Sequence, residues 1–179
     1  MRGLLVGRFQ PFHNGHEKVV EMIRRGRPEA ALILAIGSAE ESYTWKNPFT
    51  AGERFEMIDR TVGEAEGARV HVVPIPDIRR HAQWVRYLES QLPNFDRVYT
   101  NNPLTRLLFE RAGYVVEKPP LYSRPKFEGE HIRQLLATDR GWKPLVPPPV
   151  ADYLTEIEAP HRLAMLRERS DGPAGRASA

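Results

Sequence analysis

Cysteine is missing from all 179 residues. Its absence excludes disulfides, a thiolate nucleophile and a thiolate zinc site. Long apolar runs are missing too. The longest, Ala30 to Ile36, is strand-sized and far below the roughly 20 residues of a membrane span. Arg8 and His13 interrupt the N-terminal apolar stretch before the hydrophobic region of a secretory signal can form, so the chain is expected in the cytoplasm, with no membrane partner. Neither G-x-G-x-x-G nor G-x-x-x-x-G-K-[ST] occurs, which excludes the usual dinucleotide and P-loop phosphate sites. No basic stretch is interleaved with aromatics. Arg24-Arg25-Gly26-Arg27 and Arg79-Arg80 are short clusters within a scattered net charge of +3, so a solvated mixed-charge surface is expected rather than nucleic-acid binding. No internal repeat is present.

What remains is a globular composition, with 41% hydrophobic and 27% charged residues, long enough for one domain. Strand-like runs alternate with helical segments. Gly3 to Gly7 leads through a loop to a helix near Gly15 to Arg25, and the continuous run Ala30 to Ile36 suits a parallel strand covered on both faces. Thr50-Ala51-Gly52-Glu53 reads as a capping box opening a helix to Thr61, with Phe55, Ile58 and Val62 on one face. Further strands are predicted at Val70 to Ile75, Arg97 to Thr100 and Tyr114 to Glu117, and helices at Gln83 to Gln91, from Pro103 after the N-cap Asn102, and at His131 to Thr138. A proline-rich connector, Lys143 to Pro149, precedes one or two helices reaching Arg169. The fold class is α/β: a single-domain, Rossmann-like, doubly wound sheet of about five parallel strands with C-terminal helices. The domain is expected over 1–169, with a disordered tail at 170–179. Ligands of such sheets bind outside the carboxyl ends of the strands. That rim comprises Gly7 to His16, Gly37 to Phe49, Pro76 to Trp84 and Thr100 to Pro103.

The richest segment for chemistry is Gly7-Arg8-Phe9-Gln10-Pro11-Phe12-His13-Asn14-Gly15-His16, directly after the first strand. A helix start offers free amides and a partial positive charge. His13 and His16 face one anion across a single turn, Arg8 adds a fixed charge, and Gly15 permits close approach. An isolated H-x-x-H reads more readily as a surface or capping pair. The preceding strand, the intervening glycine and the upstream Gly-Arg turn the reading toward phosphates. Zinc lacks the H-E-x-x-H spacing and a third ligand. Trp84 is open between stacking on a ligand ring and packing its helix onto the sheet. Tyr43 and Trp45 read as loop packing, Met22 and Met57 as core fillers, His71 as a strand residue and His161 as a surface one. Lys46 and Arg54 are open as phosphate contacts.

GRFQPFHNGH resembles the H-x-G-H motif of the adenylyl- and cytidylyltransferase superfamily, and in this long form that of the archaeal-type nicotinamide-nucleotide adenylyltransferases. The likeness continues through Gly37-Ser38-Ala39, NPFTAGER at Asn47 to Arg54, Pro76-Asp77-Ile78, Trp84-Val85, FDRVY at Phe95 to Tyr99, Asn102-Pro103-Leu104 and Gly141-Trp142. It implies transfer of AMP from ATP to nicotinamide mononucleotide, giving NAD⁺ and pyrophosphate, with Mg²⁺ held mainly by the ATP phosphates rather than by protein ligands. It further implies a homo-oligomer.

By the same resemblance, His16, His13, Arg8 and Arg133 are the catalytic set. His16 donates to the α-phosphate and His13 holds the outer phosphates. ATP contacts come from Gly7, Arg8, Phe9, His13, Gly15, His16, Asn101, Arg124, Gly129 and Arg133; mononucleotide contacts come from Ser38, Asp77, Ile78, His81 and Trp84. The chain departs from the family pattern at four positions. Glu128 and Glu130 replace hydroxyl residues, where they can cap the helix bearing Arg133 but are unfavourable beside a triphosphate unless Mg²⁺ or an arginine such as Arg124 intervenes. His81 stands for an asparagine, and Asn101 for a glycine. These departures keep open a related transferase using another phosphorylated acceptor (such as FMN or phosphopantetheine) or CTP; a rival of a different class is a nucleotide-binding regulator of the same fold without turnover.

Overall fold

The first two apolar runs pair side by side and set the frame for the rest. In the computed structural model, which describes residues 1–27, 30–63, 69–120, 122 and 127–171, β1 (Arg2–Gly7) runs parallel to β2 (Ala31–Ile36), with Leu4 opposite Ile33. β3 (Val70–Pro74) joins the outer side of β2, while β4 (Arg97–Tyr99) and β5 (Val115–Glu117) extend from the other side of β1. The order is therefore β3-β2-β1-β4-β5, all parallel. Strand order reverses between β1 and β4, and the crevice of an open α/β sheet lies at such a reversal.

The continuous apolar character of β2 follows from burial on both faces. Leu32, Leu34 and Ile36 point into one core, shared with α1 (Asn14–Gly26), α2 (Ala51–Val62), α5 (Gly129–Ala137), α6 (Pro148–Glu156) and α7 (Ala159–Asp171). Ile33 and Ala35 point into the other, shared with α3 (His81–Gln91) and α4 (Pro103–Arg111). Met57 is fully buried and Met22 packs against the same core. Trp45 does likewise, and exposed Tyr43 lies under the Arg162 guanidinium at 5.1 Å, so both are loop packing. His71 lies in β3, opposite Ile33, and His161 is exposed.

Several boundaries move. α3 starts at His81, two residues before the predicted Gln83, and α5 starts at Gly129 rather than His131. β5 begins at Val115, because Tyr114 turns into the second core and stacks on Phe95 at 4.8 Å. Part of the proline-rich connector is a 3₁₀ turn, Lys143–Leu145, and its last two prolines open α6, where a missing N–H costs nothing. α7 runs through Asp171, past the expected domain end; residues 172–179 lie outside the described residues. On α2 the buried face is Arg54, Met57, Ile58 and Val62; Phe55 is turned outward, 38% exposed. A charged residue occupies the inward position that an apolar pattern assigns to its neighbour.

The capping box at Thr50 is formed in full. The Glu53 amide donates to the Thr50 hydroxyl at 3.1 Å, and the Thr50 amide donates to Glu53 Oε2 at 2.9 Å. Glu53 also takes two hydrogen bonds from Arg162 at 2.7 and 2.8 Å, tying α7 to the start of α2. Thr50→Ala removes one cap acceptor and is expected to cost about 1 kcal/mol. Urea unfolding checks this: the midpoint should fall with an unchanged m-value.

Candidate active site

β1 delivers the chain to the crevice at Gly7, and α1 leaves it at Asn14, with His13 as the N-cap. The two histidines build this turn by exchanging bonds with each other's backbone. The His16 amide donates to His13 Nδ1 at 3.3 Å, and the His13 amide donates to His16 Nδ1 at 3.3 Å. A ring nitrogen that accepts a hydrogen bond carries no proton, so each neutral imidazole holds its proton on Nε2. The capping reading and the phosphate reading are therefore compatible: Nδ1 caps the helix, and Nε2–H is left as a donor. The rings stack at 3.6 Å between centroids, with Phe9 edge-on to His16 at 4.9 Å and Phe12 stacked on it at 5.5 Å. Burial lowers the pKa of His13 to about 4, and burial with the adjacent His13 holds His16 well below the usual histidine value. The pair is thus two neutral donors.

Two cavities open at the reversal of strand order. One, of about 340 Å³, is walled by His13, Gly15, His16, Asn101, Glu128 and Gly129, among others. The other, of about 350 Å³, is walled by Gly7, Arg8, Ser38, Asp77, His81 and Trp84, among others. Val6, Thr100 and Asn102 line both, so the cavities meet at the carboxyl ends of β1 and β4. Trp84 fulfils both readings open to it, lining its cavity while meeting Phe109 in the core edge-on at 5.6 Å. Asn101 is fixed by donating from Nδ2 to the Pro119 carbonyl at 2.9 Å.

Other expected contacts stand elsewhere. Phe9 is buried behind His16 and lines neither cavity; a Cβ on Gly7 would lie 2.7 Å from its ring, so Gly7 makes room for Phe9. Gly15 does line the first cavity, but the position a Cβ would take is closed by Phe127 at 3.0 Å and the His13 ring at 3.1 Å. Ile78 is half-buried and outside the cavity wall. Arg124 lies outside the described residues. Glu128 occupies the N-cap of α5, but its side chain makes no capping bond, and Glu130 is exposed in the first turn. Lys46 is exposed and lines neither cavity.

Both inward-facing arginines serve the backbone. Arg133, on α5, is 5% exposed, lines neither cavity and donates from Nη1 to the Gln10 carbonyl at 2.9 Å. Burial and the nearby charge of Arg8 lower its pKa. Gln10 in turn exchanges two 3.0 Å bonds with the backbone of Phe49. Arg54 is 0% exposed and gives its N–H groups to the carbonyls of Arg8, Gly37, Ser38 and Thr50 at 2.8–3.2 Å. It is no phosphate contact. It joins the exit loop of β1 to that of β2; the Ser38 and Thr50 carbonyls also accept the Glu41 and Arg54 amides, so truncating the side chain would leave those of Arg8 and Gly37 without it, a costly loss.

Sequence reasoning missed the contributions of α4 (Leu104, Thr105, Leu108) to one cavity and of Pro119, Pro120, Tyr122 and Phe127 to the other. The rim rule pointed to Thr100 to Pro103; nothing in the local pattern distinguished the inward residues of the following helix.

This sheet, with a histidine-capped helix at its reversal point, defines a nucleotidyltransferase-type domain, and residues 4–135 match the cytidylyltransferase-like family. The chain is 47% identical over 171 residues to nicotinamide-nucleotide adenylyltransferase of Haloarcula marismortui, covering 96% of this chain and 88% of that one. It is 44% identical over 174 residues to the enzyme of the same name from Archaeoglobus fulgidus, covering 94% and 99%. The chain belongs to the nicotinamide-nucleotide adenylyltransferase family. The fold is also that of a bifunctional NMN adenylyltransferase/ADP ribose pyrophosphatase from Francisella tularensis, solved with AMP and a manganese ion (TM-score 0.73, 20% identity, 92% of this chain). This chain spans only 51% of that larger protein. No helix among the described residues is long and apolar enough to cross a membrane.

The buried imidazoles make stability depend on pH. As pH falls through about 6.5 the unfolded chain binds a proton at His13, while the folded chain does not until about 4. Stability is expected to drop by up to about 1.4 kcal/mol per pH unit across that window. His13→Asn keeps a capping acceptor and removes this titration, so its decline should be shallower, as urea titrations at stepped pH will register.

Proposed function

We propose that the protein transfers the AMP moiety of ATP to the phosphate of nicotinamide mononucleotide, giving NAD⁺ and pyrophosphate. One observation carries the reading: two cavities that share Val6, Thr100 and Asn102 present two substrates to each other at one edge of the sheet. The relatives supply the substrates. The donors present divide them: ATP takes the histidine side and the mononucleotide the Trp84 side.

The chemistry needs no nucleophile from the protein. An oxygen of the mononucleotide phosphate attacks the α-phosphorus of ATP. A new P–O bond forms as the bond to the bridging oxygen breaks, and pyrophosphate leaves with that electron pair. Catalysis then rests on alignment and on donors placed where charge develops. His16 donates from Nε2–H to the α-phosphate, and His13 from Nε2–H to the outer phosphates. Arg8, in the wall of the acceptor cavity, supplies fixed positive charge. Arg133 is a positioning residue that holds the Gln10 carbonyl, and so the histidine turn, in place. Among the described residues no three His, Asp or Glu side chains converge as metal ligands. Mg²⁺ would enter with the triphosphate and supply neutralisation of phosphate charge.

Incubation with ATP, Mg²⁺ and nicotinamide mononucleotide is expected to yield NAD⁺ and pyrophosphate in equal amounts. Turnover only with FMN, phosphopantetheine or CTP, or binding without pyrophosphate release, would overturn the proposal. His16→Ala is expected to lower kcat by roughly 10²–10³-fold, the usual effect of losing one transition-state donor. Trp84→Leu, which retains packing against Phe109, is expected to raise KM for the mononucleotide by about 2- to 30-fold through loss of the ring–cation contact.

A further inference from the structure

Because α3 begins at His81, that residue and Trp84 stand one turn apart, both in the wall of the acceptor cavity. Among the described residues the His81 ring makes no hydrogen bond to protein, which leaves both nitrogens for a ligand. The charged groups around it come from three loops. Asp77, after β3, lies in the same wall and accepts the Arg79 amide at 2.9 Å. Glu40 and Glu41, after β2, take the Asp77 amide at 3.0 Å and the Arg79 guanidinium at 3.2 Å, which draws Arg79 to that loop. Arg8 follows β1. Arg80 is the N-cap of α3 and makes no side-chain cap. From α4 the wall receives only Leu104, Thr105 and Leu108, which carry no charge.

We propose that His81 sets the choice between a carboxamide and a carboxylate on the pyridine ring of the acceptor, and that its protonation moves that choice toward the carboxylate. The proposal deepens the transferase reading and rests on it. His81 and Trp84 lie about 4.5 Å apart along the helix axis, so a ring lying on Trp84 can bring its exocyclic group to the first turn of α3. A neutral carboxamide suits a neutral imidazole, and its N–H groups suit Asp77. A carboxylate has no N–H to offer Asp77 and is repelled by it. Once His81 is protonated, the carboxylate gains a charge-assisted hydrogen bond, reinforced by the free amides at the start of α3. The acceptor phosphate ionises equally in both mononucleotides, so its effect cancels when they are compared.

The test is kcat/KM for nicotinate and nicotinamide mononucleotides with saturating ATP and Mg²⁺, from about pH 8 to about pH 6. The nicotinate-to-nicotinamide ratio is expected to rise about 3- to 10-fold toward the acid end, the scale of one charged contact in a partly solvated site. H81Q is expected to flatten that rise. His81 is exposed, so the variant should retain the wild-type thermal midpoint, which is measured alongside. A ratio independent of pH in the wild type, or a wild-type rise in H81Q, would overturn the proposal while leaving the transferase assignment standing. No turnover with either acceptor would overturn both.

Discussion

The reciprocal bonds between His13 and His16 are the constraint around which the site is arranged. A helix start leaves amides without partners, and here each imidazole satisfies the other residue's amide through Nδ1. That single geometry decides three things together. It positions the first turn of α1, assigns both ring protons to Nε2, and stacks the rings so closely that charging both would be unfavourable. Burial beneath Phe9 and Phe12 adds to the last effect. In the proposed reaction the crevice would meet the triphosphate with neutral donors already aligned, a form of preorganisation that demands little rearrangement.

Around this turn the protein uses buried guanidinium groups as internal framework. A strand that ends at a crevice leaves carbonyls in a loop that cannot pair with a neighbouring strand, and such groups are costly to bury unpaired. Arg54 reaches four carbonyls from three segments, of which those of Ser38 and Thr50 also accept a backbone amide, and Arg133 takes that of Gln10. Gln10 then links the histidine turn to the loop before α2. The charge of Arg8 stays exposed at the crevice, whereas the two arginines behind it hold the loops that form the walls.

The two cavities differ in chemistry because different loops build them. The histidine side is formed by a helix start, the Asn101 amide and the turn entering α5. The other side combines an indole, apolar residues of α4 and the Asp77–His81 pair. In the proposed reaction the first would take the triphosphate and the second the ring and sugar phosphate of the acceptor. Their contact at Val6, Thr100 and Asn102 follows from the reversal of strand order, which spreads the loops after β1 and β4 to opposite sides.

Local patterning by itself determined much of this protein. The alternation of runs announced five parallel strands, Thr50 and Glu53 announced a capping box, Asn102 and Pro103 announced a helix start, and His13 and His16 were visible as a pair at the opening of α1. Each of these depends on neighbours within one or two turns, which a linear chain displays. Only the tertiary structure decided which way side chains of equal chemistry face. Arg54 and Phe55 are adjacent, yet the charged one is buried, because distant carbonyls of Arg8, Gly37 and Ser38 converge there. Arg133 and His16 both suited a phosphate on the page, but a carbonyl 123 positions away holds the arginine behind the wall. The surroundings of a guanidinium are set by packing between remote segments, and no local pattern encodes them.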